Sequence, residues 1–307
     1  MNEENKEILS IVLLVFLPII LFFASFLIGR YPIDPIDVIK TILCPIFPQL
    51  EVSQTITTIV FEIRLPRIIG AFVVGAALAM AGSAFQGIFK NPLVSSDLLG
   101  VSNGAGFGAA LAILLSGLNV VTQIFAFVFG LISVSITYLI SKSYKNGGIL
   151  VLVLSGVAIS AFFGALVSAV KFVADPDDKL PEIVYWLMGS LAGAKWNELA
   201  VIAPVIIVSV LFFWTQSRVL NLMLLGDETA ITMGTDLHLY RQWYLLISSL
   251  IVGFAVYAAG MIGFVGLIIP HVMRMFLGPD HKKLIPASAL VGCLLYTSPS
   301  PRDTERS

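Results

Sequence analysis

Gln86, Asn103, Gln123 and His271 are the polar side chains within or beside the long apolar stretches of this 307-residue chain, and none is a carboxylate. A carrier driven by protons or sodium places Asp, Glu, His or Lys at mid-membrane, where such groups are costly and are kept for function. This chain offers no such set. It also lacks a G-x-x-x-x-G-K-[ST] loop, which closes the P-loop route to nucleotide hydrolysis. An intramembrane enzyme would need a Ser/His set, paired Asp residues or H-E-x-x-H inside its helices, and none occurs. No catalytic residue is therefore expected. His271 has no partners at ligand spacing and reads as structural, while Cys44 and Cys293 belong to no metal-ligand or redox pair. No metal site is expected either. Gly104, Gly106 and Gly108 have the wrong spacing for a dinucleotide loop and follow no strand. A transporter with neither coupling ion nor P-loop must draw its energy from a partner protein.

Residues 216–242 are the natural place for that partner to dock. They carry Arg218, Asp227, Glu228, Asp236, His238 and Arg241 among Leu and Met, with Gly226 and Gly234 at the bends. One or two short helices outside the membrane are expected there, around Leu225, Gly226, Asp227, Glu228 and Gly234. An amphipathic loop lying on the membrane surface is the other reading. Arg64 and Arg67 lie three apart, so a helix puts them on one face. Pro66 between them fits the first turn of a helix. Snorkelling at the interface and contact with a partner both suit such a pair. Asn91-Pro-Leu93 ends a helix, because Pro disfavours helical backbone in the residue before it. Asn91 and Leu93 either narrow a path there or form a plain turn. Asn146, Gly147 and Gly148 make a further turn and a second gate candidate.

The elements that must position these residues follow from composition. The chain is 58% hydrophobic and 12% charged, and its mean hydropathy is +0.96. Soluble domains carry roughly twice that charged fraction. Lipid is the expected solvent, and a net charge of −1 gives no field to recruit nucleic acid. A bilayer core about 30 Å thick takes about 20 apolar residues as helix. That length picks out spans near 8–28, 67–89, 98–116, 120–141, 149–171, 199–215, 243–259 and 261–277, with a ninth that begins near Leu284 and does not finish. Backbone in lipid must satisfy itself, which makes these segments helices and the chain all-α and polytopic. Residues 30–64 are expected to hold one short amphipathic helix, and Ile183–Leu191 is apolar but too short to span. The acidic start, Glu3, Glu4 and Glu7, argues for a retained first helix over a cleaved signal. Lys and Arg are slightly more frequent in the loops that share a side with the N-terminus, which places that terminus inside.

Several motifs then occur in one order. They are Arg64-Leu-Pro-Arg67, Gly75-Ala-Ala-Leu-Ala-Met-Ala-Gly82, Phe85-Gln-Gly87, Asn91-Pro-Leu93 and Leu98-Leu-Gly-Val-Ser-Asn-Gly-Ala-Gly106. Leu225-Gly-Asp-Glu-Thr-Ala230 with Met233-Gly234 follows, then Gly260-Met-Ile-Gly-Phe-Val-Gly-Leu-Ile-Ile-Pro-His271, Arg274 and Gly278-Pro-Asp-His281. This series resembles the FecCD-type permeases of ABC importers for iron-siderophores, haem and cobalamin. The resemblance implies a ten-helix permease fold, of which about eight helices are complete here. It implies a homo- or heterodimer of permease subunits around a central path, two ATPase subunits inside and a substrate-binding protein outside. It places the chain in a bacterial or archaeal cell membrane with its N-terminus cytoplasmic. Arg64 and Arg67 would meet acidic residues of the binding protein. Asp227, Glu228 and Gly234 would lie in the segment that enters a cleft of the ATPase. No cofactor would be bound by this chain, ATP-Mg being held by the partner. An ion-coupled carrier or channel is the rival class.

Residues 293–307 depart from that pattern. Cys293-Leu-Leu-Tyr-Thr-Ser-Pro-Ser-Pro-Arg-Asp303 resembles the conceptual translation of a transposon-end adapter used in preparing sequencing libraries. The expectation is a single transmembrane permease domain over 1–292, incomplete at its C-terminal end, with 293–307 set aside as an artefact. A genuine polar tail is the alternative.

Overall fold

Helices that meet in lipid gain nothing from hiding apolar surface, so close packing of small residues has to hold them together. The computed structural model describes residues 16–27, 31–47, 49–50, 52–95, 97–144, 148–191 and 193–297. Among the described residues the regular structure is helical throughout, as the sequence indicates. In chain order the helices are α1 (Phe16–Ser25), α2 (Pro35–Leu43), α3 (Gln54–Thr58), a π-helical turn (Ile59–Arg64), α4 (Leu65–Ile88), α5 (Val101–Ser116), α6 (Val120–Ser143) and α7 (Gly148–Val173). They continue with α8 (Lys179–Leu187), α9 (Trp196–Leu225), α10 (Asp227–Thr232), α11 (Leu237–Ala259), α12 (Val265–Leu277) and α13 (His281–Thr297). Five of the helical segments are long and apolar enough to cross a membrane, and α1, α5 and α12 are shorter apolar helices.

α4 is the axis of the bundle and packs against α9, α11, α12 and α13. Its glycines decide how close those helices come. A Cβ added at Gly82 would lie 1.7 Å from the carbonyl oxygen of Gly266 on α12, and one at Gly75 would lie 2.2 Å from that of Gly292 on α13. Backbone meets backbone at both places, a contact that only glycine permits. A second group forms where α5 packs on α6 and α7. There Gly104 and Gly108 of α5 lie against the carbonyls of Phe129 and Phe125 on α6.

These contacts also set direction. Gly70 near the start of α4 meets Leu199 near the start of α9, and Gly87 at the end of α4 meets Leu220 near the end of α9. The two helices therefore run parallel. α13 runs opposite to α4, since Gly87 meets His281 and Gly75 meets Gly292. The bundle has one end marked by Arg64, Arg67, Lys195 and Gly260, and another marked by Lys90, Asp227 and Asp280.

Three expectations need correction. Pro66 does sit in the first turn of α4, yet that helix is continuous with the ones before it, since helical backbone runs unbroken from Gln54 to Ile88. Proline has no N–H to give the ladder, and the π turn before it shifts the ladder so that Leu65 N–H already reaches the Val60 carbonyl. The stretch 30–64 thus holds α2, α3 and the π turn in place of one short helix. Secondly, Arg218–Leu225 is not a separate surface helix but the last turns of α9, and only Asp227–Thr232 stands apart. Leu220 and Met223 are fully buried there, and packing of that face extends the helix beyond the expected limit of 199–215. Thirdly, the expected span 261–277 becomes helical only at Val265, after positive φ values at Gly260 and Phe264. The last helix begins at His281, a turn before Leu284, and runs through Gly292 to Thr297. Cys293 is buried in it, with its thiol 3.3 Å from the Phe72 carbonyl.

Candidate functional site

The sequence-picked residues gather at the two ends of the bundle. At the first end α9 stops at Leu225 because Gly226 takes φ 117°, ψ 153°, which L side chains rarely adopt. α10 then starts with Asp227 and Glu228, acids at the positive end of the helix dipole. It is anchored by Ala230, which is fully buried, and closed by Gly234 at φ 80°. Around that anchor Leu225, Ile231 and Met233 are more than 60% exposed and Leu239 is about half exposed. These large apolar side chains form an exposed cluster on an otherwise charged corner.

Asp227 ties this corner to its neighbours. Lys90 Nζ donates to its Oδ1 at 3.0 Å, and Arg241 Nη2 approaches its Oδ2 at 3.3 Å. The hydrogen bond from Lys90, aided by Arg241, holds the Asp227 carboxyl below the usual carboxylate range. Lys90 follows α4 with φ 51°, a left-handed backbone unusual for lysine. Asn91 comes next, and its side-chain oxygen accepts the Leu93 N–H at 3.0 Å, forming a tight turn. That turn leaves Leu93 69% exposed at its tip. From inside, the fully buried Gln86 donates to the Val94 carbonyl at 3.3 Å and to the Leu267 carbonyl of α12 at 3.2 Å. Asn146 and Gly147 lie outside the described residues, and Gly148 opens α7.

Beside this corner, Asn221 on α9 joins the start of α13. Its amide donates to Asp280 Oδ1 at 2.6 Å, and its oxygen accepts the His281 N–H at 2.8 Å. Hydrogen bonds from the Lys282 backbone and from Asn221 keep the Asp280 carboxyl below the usual range. Sequence reasoning placed Arg241 in the docking stretch but missed Lys90, Gln86 and Asn221 as members of this corner. Each is an ordinary polar residue at a helix end, and only the fold brings them together. The unusual neighbour of Lys90, an Asn-Pro step, was the one available signal.

At the other end the two arginines are separated. The Arg64 guanidinium is buried and donates to the carbonyls of Phe26 and Tyr31, binding the end of α1 and the loop after it. The spacing still sets both at the start of α4, but their side chains make different contacts, Arg64 closing the π turn and Arg67 following on α4. Arg67 lines a cavity of about 480 Å³ with Gln123, Tyr185, Lys195, Glu198 and Tyr257. Gln123 Nε2 donates to Glu198 Oε1 at 2.8 Å across it. Among the described residues no three His, Cys, Asp or Glu side chains group to hold a metal.

A family model described as the FecCD transport family matches residues 16–299. The chain belongs to that family. The molybdate import permease MolB of Haemophilus influenzae is 38% identical over 268 residues, covering 86% of this chain and 78% of MolB. The iron(3+)-hydroxamate import permease FhuG of Bacillus subtilis is 33% identical over 303 residues, covering 96% of this chain and 88% of FhuG. A solved structure described as an inward-facing metal-chelate type ABC transporter superimposes with a TM-score of 0.81 at 34% identity, over 92% of this chain and 86% of that one. This FecCD protein is therefore a membrane-embedded permease subunit of an ABC importer, working with ATPase and binding-protein partners, and not an enzyme.

Proposed function

We propose that this FecCD permease carries an iron(III)-siderophore or a related metal chelate, such as haem or cobalamin, into the cytoplasm of a bacterium or archaeon. It pairs with a second permease subunit, identical or homologous, and stands on two ATPase subunits that hold ATP-Mg. The permease itself binds no cofactor and no nucleic acid. The Asp227 end faces the cytoplasm, with the N-terminus on the same side, and the Arg67 end receives the binding protein.

The observation that carries this reading is the corner around α10. A short helix with acids at its N-terminus and exposed Leu225, Ile231 and Met233 around a buried Ala230 is shaped to enter a cleft of another protein. Docking of the binding protein falls to Arg67 with Lys195 beside it, while Arg64 holds the loop that frames them. Asn91 and Leu93 narrow the path at the cytoplasmic end. The iron-hydroxamate relative supports a chelate as cargo, and the molybdate relative supplies the competing cargo class.

The test is uptake by proteoliposomes that contain the permease, its ATPase and its binding protein. Radiolabelled ferric hydroxamate, haemin, cobalamin and molybdate are offered in turn, with ATP-Mg and with ATP omitted. ATP-dependent uptake of a chelate supports the proposal. Uptake of molybdate alone replaces the cargo, and uptake that persists without the ATPase rejects the coupling.

A further inference from the structure

We infer that the Asp227 carboxylate is the link by which movement of the coupling helix α10 reaches the turn that carries Asn91 and Leu93. The inference rests on reading α10 as the ATPase contact. Three observations carry it.

First, Asp227 is the opening residue of α10, so it moves when that helix moves. Its partner Lys90 sits directly before Asn91, and their contact at 3.0 Å spans 137 residues of sequence. Among the described residues, the hydrogen bonds and ion pairs of α10 that reach across to another element are those at Asp227. Secondly, Lys90 holds a left-handed backbone at φ 51°. Gly or Asn adopts that conformation at less cost, and the lysine found there places its ammonium on Asp227. Thirdly, the turn has another anchor. Fully buried Gln86 bonds to Val94 on one side and to Leu267 of α12 on the other. The turn is thus held from outside by an ion pair and from inside by an amide, with exposed Leu93 between them.

The geometry is that of a lever. Gln86 is fixed in the packed interior of α4 and acts as the pivot. Lys90, at the solvent side, is the point where force from α10 enters. Arg241 shares Asp227 from the first turns of α11 and keeps the carboxylate aimed at Lys90, with its own contact slightly longer at 3.3 Å. Exposed ion pairs contribute little to folding, so removal of this one leaves the helix bundle intact. What it removes is the bond between two parts that must move together.

The experiment uses the assembled permease and ATPase in nanodiscs and needs no cargo. Leu93→Cys, on a background of Cys44→Ser and Cys293→Ala, carries a spin label whose mobility is recorded with and without ATP-Mg and vanadate. Co-purification reports whether the ATPase stays bound. The expected result is a nucleotide-dependent change at position 93 that falls about fivefold in Lys90→Ala and in Asp227→Asn, while the ATPase remains bound. Lys90→Arg, which keeps the charge and the reach, restores most of the change. Arg241→Ala gives a smaller loss than either. Full nucleotide response in both Lys90→Ala and Asp227→Asn, with the ATPase bound, overturns the link. Failure of the ATPase to bind the unsubstituted permease rejects the reading of α10 instead, and the link falls with it.

Discussion

α4 and α7 are both long apolar helices, yet they solve opposite problems. Across its most apolar stretch α4 is 78% buried, whereas α7 is 22% buried. Their mean hydropathies there are similar, 2.1 and 2.5, so the difference is not in how apolar they are. It lies in side-chain size and in what stands opposite. α4 carries Gly75, Ala76, Ala77, Ala79, Ala81, Gly82 and Ala84, which admit other helices to backbone contact. α7 exposes Leu150, Leu154, Val157 and Phe162, which stand out from the bundle. Small residues buried at crossings make an axis, and large residues left uncovered make an outer face.

Substitutions at matched glycines sharpen that contrast. Gly82→Ala should have the largest effect, because the new methyl falls 1.7 Å from the Gly266 carbonyl oxygen and both partners are helix backbone. We expect a loss of about 3 kcal/mol or more, read as lost monodisperse protein after heating in detergent. Gly75→Ala comes next, with its methyl 2.2 Å from the Gly292 carbonyl oxygen on α13. A cost of about 2 kcal/mol is expected in the same assay. Gly156→Ala on α7 has an equally short 2.2 Å contact, with the carbonyl of Leu98, but that residue lies in a loop. The loop can move where a packed helix cannot, and about 1 kcal/mol is expected. If Gly156→Ala proves as damaging as Gly82→Ala, the distinction between axis and outer face fails.

Two smaller effects test the edges of the comparison. At the solvent end of α4, the Lys90–Asp227 pair depends on an ionised carboxylate. Its pKa is lowered in the fold, so its small contribution is complete above the ordinary Asp range and is lost as pH falls through the lowered value. An acid titration of the wild type against Asp227→Asn should therefore give matching melting curves at the acid extreme and a slight wild-type advantage at neutral pH. A constant difference at every pH would remove the ion pair from the account. Gly164→Ala on α7 should be the mildest change of all, since nothing lies within 4 Å of the added methyl. A shift within about 0.5 kcal/mol is expected.

Much of the fold was legible where a single physical rule governs. Apolar length marked the segments of α4 through α7 and α11, because lipid allows few alternatives to a helix. Reading failed where neighbours changed the outcome. Pro66 stands in the first turn of α4 as expected, but nothing marked the π turn that joins this helix to α3. Arg218–Leu225 looked like a surface segment, but burial of Leu220 and Met223 extends α9 through it. The spacing of Arg64 and Arg67 suggested that they act together, but the carbonyls of Phe26 and Tyr31 draw Arg64 inward. Of the corner around α10, Asp227 and Gly226 were visible as a charged residue beside a helix breaker. Lys90, Gln86 and Asn221 were not, because their partners are distant in sequence.

The sequence by itself determined that the chain is helical, is apolar enough for lipid and follows the order of motifs of the FecCD family. Those properties depend on composition, local backbone chemistry and residue order, which are written along the chain. Only the tertiary structure decided which glycines touch, which arginine faces inward and which lysine reaches Asp227. Such pairings arise when helices run parallel or antiparallel to α4 at a set depth, and depth is fixed by the fit of one helix surface against another.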